Sequence, residues 1–257
     1  MSGYSYMLIA VLMLFSSCGV KVREGLLARR IRTEAVREFG YNIFYPESYG
    51  KSGRKWPLFL WLHGAGERGS DNVSQLIHIV PYLASDLVQT KYPCIVVAPQ
   101  CPAEDYWAPF RRFEWTIRDN GEVTPAMGSV ITLMEKLLKD PRVDKSRVYV
   151  GGLSMGGFGT LDLLHRKPEW FAAAIPICGG ADLQQTEKYK HIPLWVFHGA
   201  KDDVVKPELS RNLVAKLKSL GSHPRYTEYP DGGHDVWNSA IREPELMHWL
   251  FACKKDN

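Results

Sequence analysis

A serine stands among glycines at residues 151–157 (GGLSMGG), and five of these residues fit the pattern G-x-S-x-G. In this pattern a strand turns sharply into a helix, and the small flanking residues relieve crowding where the backbone folds over itself. The strained turn exposes the serine hydroxyl, here that of Ser154, as a nucleophile. The spacing predicts a nucleophile elbow; the alternative is an ordinary glycine-rich loop, because short motifs recur by chance.

A serine hydroxyl attacks well when an imidazole takes its proton and a carboxylate orients that imidazole. Among eight histidines, His234 alone follows the last apolar run within a glycine-rich turn (residues 231–235, DGGHD), which favours it as the base. The spacing HGxxD selects Asp202 as the acid, and the adjacent Asp203 is interpreted as a turn residue or helix-start partner. The chain order Ser154, Asp202, His234 is the triad order of α/β-hydrolases.

Acyl transfer also needs donors for the oxyanion of the tetrahedral intermediate. One donor is the backbone N–H of the residue after the nucleophile, which is Met155 here. The other comes from the loop after an early strand, where the stretch HGAG (residues 63–66) makes Ala65 the candidate. The chemistry calls for no metal and no organic cofactor.

Short, nearly continuous apolar runs predict strands of a parallel sheet that is buried on both faces. Helical periodicity separates several of them, at residues 130–139, 155–165 and 209–217. This alternation predicts an α/β fold with a mostly parallel, doubly wound central sheet flanked by helices. The runs are 57–62 (PLFLWL), 94–98 (CIVVA), 148–151 (VYVG), 171–177 (FAAAIPI), 194–197 (LWVF) and 226–229 (YTEY).

Each candidate motif follows one of these predicted strands. Doubly wound sheets bind their ligands at the carboxyl ends of their strands, so the motifs are expected to meet at one edge of the sheet. The motifs are those at 63–69, at Ser154, at 198–203 and at 231–235.

The chain resembles a family of bacterial α/β-hydrolases, predicted peptidases related to feruloyl and acetyl xylan esterases and similar to dienelactone hydrolases and phospholipase/carboxylesterases. The resemblance runs from about residue 41 to residue 250 and implies the α/β-hydrolase fold. It implies Ser154, Asp202 and His234 as the triad, with Ala65 and Met155 as oxyanion donors. It is carried by WPLFLWLHGAGERGSDN, IVVAPQCP, RVYVGGLSMGGFGTLDL, AAAIPICGG, VFHGAKDDVV and GGHDVWNSAIREPELMHWL.

Aromatic residues near these motifs are candidates for lining the substrate cleft. Trp107 and Trp115 lie in the segment 100–124, which has no clear strand or helix period, and Trp237 lies three residues past His234. The alternative is that these aromatics pack the loop onto the domain. If they face the cleft, an aryl or sugar-linked acyl ester suits the site.

Three functional hypotheses follow. The favoured one is a secreted serine carboxylesterase that hydrolyses feruloyl or acetyl esters on plant polysaccharide. The alternatives are a serine peptidase or amidase with the same triad, and a non-catalytic binding protein on a hydrolase fold.

The composition is that of a globular protein of 257 residues, 45% apolar and 23% charged, with a thinly spread net charge of +4 that gives no reason to expect nucleic-acid binding. Residues 1–18 carry an apolar run followed by small residues, which predicts an export signal, and Cys18 is a candidate lipidation site and the only expected membrane anchor. Residues 19–257 are expected to form one catalytic domain. The remaining cysteines are expected to be mostly buried free thiols.

Overall fold

The computed structural model describes residues 27–50, 53–111, 116–117 and 121–255. The predicted export signal at residues 1–18, with Cys18, and the candidate Trp115 lie outside the described residues. No helix in the described ranges is long and apolar enough to span a membrane.

The described strands form an eight-stranded sheet and a separate two-stranded ribbon. The order in the large sheet is β1-β2-β4-β3-β7-β8-β9-β10, and β5 pairs with β6. Their bounds are β1 (Leu27–Ile31), β2 (Phe39–Phe44), β3 (Trp56–Leu62), β4 (Ile95–Pro99), β5 (Phe110–Arg111), β6 (Thr116–Ile117), β7 (Val143–Leu153), β8 (Ala173–Ile177), β9 (Trp195–Gly199) and β10 (Arg225–Tyr229).

Helices cover both faces of the large sheet. Short 3₁₀ helices occupy Ala65–Glu67, Ser74–Leu76, Pro168–Trp170 and Leu183–Lys188. The α-helices are α1 (Ile79–Leu83), α2 (Asp86–Lys91), α3 (Pro125–Leu137), α4 (Met155–Arg166), α5 (Glu208–Ser219), α6 (Trp237–Ala240) and α7 (Leu246–Ala252).

The strand pairing confirms the predicted doubly wound α/β-hydrolase sheet. Six strands from β4 to β10 pair in parallel, while β1 and β2 add an antiparallel edge. Sequence reasoning did not identify β1 and β2. Strand β1 has no fully buried residue and carries two arginines among five residues, so its apolar signal is weak.

The side chains of β3 show why its apolar run is continuous. Leu58, Leu60 and Leu62 point into the core that contains α3, α4 and α5, whereas Phe59 and Trp61 point into the core under α1, α2, α6 and α7. Because successive residues of a strand face opposite sides, a strand covered on both faces is apolar at every position.

The cysteines agree with the sequence-based expectation. Cys94, Cys101 and Cys178 are buried free thiols, and Cys253 is a half-buried free thiol.

Glycines let the turn from β7 and the start of α4 pack directly against the neighbouring strands β3 and β8. A Cβ at Gly156 would lie 1.9 Å from the carbonyl oxygen of Leu62 in β3, and one at Gly152 would lie 2.3 Å from the carbonyl oxygen of Gly156. A Cβ at Gly157 would meet the carbonyl oxygen of Ile177 in β8 at 2.5 Å. These contacts are with backbone, which cannot move aside. The turn from β7 into α4 therefore requires glycine.

We expect Gly156→Ala to destabilise the domain by at least about 3 kcal/mol, because its methyl group overlaps the β3 backbone. The matched control is Gly128→Ala in α3, where a Cβ has no neighbour closer than 3.9 Å. That control should be stabilised by about 0.5–1 kcal/mol through helix propensity. Urea unfolding of both variants measures the difference, and equal stabilities would contradict the packing argument.

Candidate active site

Ser154 lies at the turn between β7 and α4 in a backbone conformation that residues other than glycine rarely adopt, with φ 52° and ψ −116°. Its N–H donates to the carbonyl of Ile177 at 2.8 Å, and its own carbonyl accepts from the N–H of Phe158 at 3.1 Å. These bonds tie the turn to β8 on one side and to α4 on the other. The predicted elbow is therefore present as a geometry, with the serine at the N-terminus of a helix.

The three side chains predicted to form a triad lie in one hydrogen-bonded chain. His234 Nε2 lies 2.8 Å from Ser154 Oγ, and His234 Nδ1 lies 2.7 Å from Asp202 Oδ2. A carboxylate accepts only, so Nδ1 carries the hydrogen and Nε2 presents its lone pair to the serine hydroxyl. This is the tautomer that a general base requires. The neighbouring Asp203 is exposed and takes no part in the chain.

Asp202 is buried and accepts hydrogen bonds on both carboxylate oxygens. Oδ1 accepts from the N–H groups of Val204 at 2.9 Å and Val205 at 2.8 Å. Burial alone would raise the pKa of this carboxyl, but hydrogen bonds from His198, His234 and the Val205 N–H hold that pKa well below its usual range. Asp202 is consequently ionised at neutral pH.

His198 is a second imidazole on the same carboxylate. Its Nε2 lies 3.2 Å from Asp202 Oδ2 and 2.9 Å from the carbonyl oxygen of Val205, and its Nδ1 lies 2.7 Å from Ser210 Oγ. Because Nε2 faces two acceptors, it carries a hydrogen. The side chain is fully buried and touches no solvent. The HGxxD spacing begins at His198 and ends at Asp202, but the spacing alone does not predict that the two side chains touch.

Cys178, at the end of β8, also lies against the acid and the base. The ligand atoms of Cys178, Asp202 and His234 lie within 4.8 Å of one another. Burial raises the pKa of the Cys178 thiol, and the charge of Asp202 raises it further, so the thiol stays neutral. Zinc needs a free imidazole lone pair, whereas here Nδ1 of His234 bonds to Asp202 and Nε2 bonds to Ser154. The arrangement suits proton transfer.

The loop after β3 carries Ala65, the first residue of a 3₁₀ helix, and is held by a buried imidazole. His63 Nε2 accepts from the N–H of Cys101 at 2.9 Å, so Nδ1 carries the hydrogen and donates to the Gly64 carbonyl at 2.6 Å. Burial lowers the pKa of His63 to about 4; the bond to Gly64 opposes this shift, and the charge of Arg68 adds to it. The neutral imidazole thus links the loop that carries Ala65, called the oxyanion loop below, to the chain just after β4.

Two polar side chains brace the same loop. Arg68 Nε donates to the Ala65 carbonyl at 2.9 Å, and its guanidinium lies over the Tyr106 ring at 4.6 Å. Gln100 Nε2 donates to the Glu67 carbonyl at 3.2 Å. Ala65 begins the 3₁₀ helix and Met155 begins α4. Backbone N–H groups in the first turn of a helix have no acceptor within that helix, so both are free to donate to a ligand.

The structure separates the aromatic candidates. Trp237 lies beside the base, with its ring 5.5 Å from the His234 ring. Trp107 is fully buried, and its indole N–H donates to the His63 carbonyl at 3.0 Å. The expectation that Trp107 lines the cleft is therefore corrected: this side chain packs in the core against the oxyanion loop, because the indole both fills space and satisfies a buried carbonyl. The sequence pattern of residues 100–124 does not indicate whether Trp107 faces the cleft or the core.

Comparisons with known proteins identify the family of this chain. A model of the family described as phospholipase/carboxylesterase matches residues 49–245. Lysophospholipase-like protein 1 of Mus musculus is 25% identical over 216 residues, which are 77% of this chain and 87% of that protein. A probable carboxylesterase of Oryza sativa subsp. japonica is 27% identical over 200 residues, 71% of this chain and 83% of that protein.

Solved structures show the same architecture. A thermostable esterase superposes with a TM-score of 0.83 at 39% identity, over 91% of this chain and 64% of that one, so this chain spans less than two thirds of it. A ferulic acid esterase superposes with a TM-score of 0.66 over 88% of this chain and 98% of that one. At 17% identity, the second likeness concerns the fold alone.

The buried neutral His63 makes folding stability depend on pH. Its folded pKa of about 4 lies below the ordinary value of 6.5, so the unfolded chain binds the proton more tightly. As the pH falls from 6.5 towards 4, the contribution of His63 to the free energy of unfolding decreases by up to about 1.4 kcal/mol per pH unit. Urea unfolding between pH 4 and 7 measures this slope, and His63→Gln should flatten it. An identical slope in that variant would contradict the assignment.

The second imidazole on Asp202 should matter for turnover rather than binding. We expect His198→Asn to lower kcat about tenfold, roughly 1.4 kcal/mol of barrier, with KM nearly unchanged, because Asp202 then orients His234 less firmly. Ser210→Ala, which keeps the imidazole, should cost less. Steady-state kinetics on an activated ester, with thermal unfolding as a check on folding, tests this. A change confined to KM would contradict it.

Proposed function

The chain belongs to the phospholipase/carboxylesterase family of α/β-hydrolases, and from this premise we propose that it is a serine carboxylesterase in which Ser154 is the nucleophile, His234 the base and Asp202 the acid. The observation that carries this proposal is the unbroken chain of two hydrogen bonds, 2.8 and 2.7 Å long, from the serine hydroxyl to the ionised carboxylate.

In the acylation step, Ser154 Oγ bonds to the ester carbonyl carbon while His234 Nε2 takes the hydroxyl proton. The carbonyl electron pair moves onto oxygen and then returns, breaking the carbon–oxygen bond to the alcohol. His234 gives its proton to the departing alcohol, which leaves an acyl-enzyme on Ser154. Asp202 stabilises the imidazolium that forms in between.

Deacylation repeats these steps with water in place of the serine. His234 takes a proton from water as the water oxygen bonds to the acyl carbon. The bond to Ser154 Oγ then breaks, the proton returns to Oγ, and the carboxylic acid leaves. In both steps the N–H groups of Ala65 and Met155 are the proposed donors to the oxyanion, and each such donor is typically worth about 3 kcal/mol.

For the substrate, we propose acyl esters of the feruloyl or acetyl type on plant polysaccharide. The sequence motifs that resemble those of feruloyl and acetyl xylan esterases support this class. Trp237 beside His234 offers an aromatic surface to an aryl or sugar group at the reacting ester.

The test is hydrolysis of p-nitrophenyl acetate, methyl ferulate and acetylated xylan by the full chain. Ser154→Ala should reduce each rate at least about a thousandfold, since the nucleophile is removed. The matched control is Ser219→Ala, at an exposed serine of α5, which should leave the rates unchanged.

A peptide p-nitroanilide forms the comparison arm. Turnover of the anilide without turnover of any ester would replace the esterase proposal with a peptidase. Ester hydrolysis that survives in Ser154→Ala would refute the role of this serine.

A further inference from the structure

Three side chains lie together between the oxyanion loop and the catalytic base. Glu67 ends the 3₁₀ helix that Ala65 begins, and its Oε1 lies 3.8 Å from His78 Nε2. The His78 ring lies 5.5 Å from the Trp237 ring, which in turn lies 5.5 Å from the His234 ring. We call Glu67, His78 and Trp237 the polar wall. The mechanism proposed above uses none of their polar atoms.

The polar wall contains hydrogen-bonding groups that the fold does not satisfy. Glu67 Oε2 and Trp237 Nε1 are buried without a hydrogen-bond partner. An unpaired buried polar atom costs free energy, so native proteins retain few of them, and functional sites are one place where they persist.

The backbone at His78 is also strained. This residue has φ 59° and ψ −95°, in a region that residues other than glycine seldom occupy. Such strain persists where the surrounding structure enforces it, often at ligand-binding positions. His78 immediately precedes α1, and its imidazole faces Glu67 and Trp237. About 30% of the His78 side chain remains exposed, so a ligand can reach it.

The separation of His78 Nε2 from Glu67 Oε1 suits one kind of ligand atom. At 3.8 Å the two groups are too far apart for a direct hydrogen bond. A hydroxyl oxygen placed about 2.8 Å from each atom would bridge them. That hydroxyl would accept from the imidazole N–H and donate to Oε1 of the carboxylate.

We infer that His78 and Glu67 form a clamp for a hydroxyl group of the substrate. This inference rests on the proposed esterase function and narrows its substrates to hydroxylated esters. The clamp rejects a methyl ether at the same position, because an ether accepts from His78 but has no hydrogen to donate to Glu67. The hydroxyl belongs either to the acyl group, as a phenol, or to the alcohol, as a sugar hydroxyl.

Two matched substrate pairs distinguish these sources. The acyl-side pair is methyl 4-hydroxycinnamate and methyl 4-methoxycinnamate; the alcohol-side pair is a mono-acetylated methyl xyloside and its fully O-methylated form. The measured quantity is the ratio of kcat/KM for the hydroxyl ester to that for the ether. In the protein without substitutions this ratio should be about ten or more for one of the pairs.

His78→Asn should bring that ratio close to one, because asparagine tolerates a positive φ but is too short to reach the hydroxyl. Glu67→Gln should lower the ratio part of the way, since a neutral amide oxygen is a weaker acceptor than a carboxylate. The double variant should lose little more than His78→Asn alone, because both residues act on one hydroxyl. The matched control is His248→Asn, at an exposed histidine of α7, which should keep the wild-type ratio.

A wild-type ratio near one for both pairs would overturn the clamp, as would an unchanged ratio in His78→Asn. Turnover of p-nitrophenyl acetate, which carries no hydroxyl group, reports the Ser154 chemistry separately. Loss of that turnover in Ser154→Ala, together with no hydroxyl preference, would refute the clamp and leave the proposed function standing. The absence of any Ser154-dependent turnover would refute both.

Discussion

The close approach of α4 to the sheet is the constraint on which the site depends. At Gly156 there is no room for a side chain between the helix and β3, and the chain therefore turns directly from β7 into α4. Ser154 occupies that turn at φ 52°, a conformation that typically costs about 1–3 kcal/mol. The hydrogen bond from the Ser154 N–H to the Ile177 carbonyl helps to hold it there. The position of the Ser154 hydroxyl is therefore determined by the packing of α4 on the sheet.

The other functional groups lie on loops, and two of these loops are held in the same way. Each begins with a histidine–glycine pair at the end of a strand, His63-Gly64 after β3 and His198-Gly199 at the end of β9. Both imidazoles are buried and bond to backbone carbonyls of their own loops. The glycine next to each imidazole permits close packing: a Cβ at Gly199 would lie 2.1 Å from the carbonyl oxygen of Gly233, in the loop that carries the base. The histidine–glycine pairs thus position the loops that carry Ala65 and Asp202, the proposed oxyanion donor and acid.

Much of this arrangement follows from sequence because it depends on local rules. Continuous apolar runs mark strands covered on both faces, and parallel strands bring the motifs that follow them to one edge, where Ser154, Asp202 and His234 meet. The antiparallel strands β1 and β2 carry mixed patterns and gave no such signal. Trp107 and Trp237 are chemically identical residues near the same motifs. Only the three-dimensional packing shows that one fills the core and the other flanks the base. The contact of His198 with Asp202 likewise depends on how a loop returns upon itself, which residue spacing does not record.

The two sides of the site differ in how completely their polar groups are satisfied, and this difference has a physical meaning. Around Asp202 the buried polar atoms are paired: both carboxylate oxygens accept hydrogen bonds, and both nitrogens of His198 have partners. A charge that must stay fixed during reaction benefits from such preorganised dipoles, because none has to reorient as the imidazolium forms. Along the polar wall, by contrast, Glu67 Oε2 and Trp237 Nε1 remain unpaired beside a strained His78. A group that only a hydroxyl can satisfy favours that hydroxyl over its methyl ether, which has no hydrogen to donate. Full satisfaction around Asp202 therefore suits the proposed chemistry, and the incompletely satisfied polar wall suits the proposed choice of substrate.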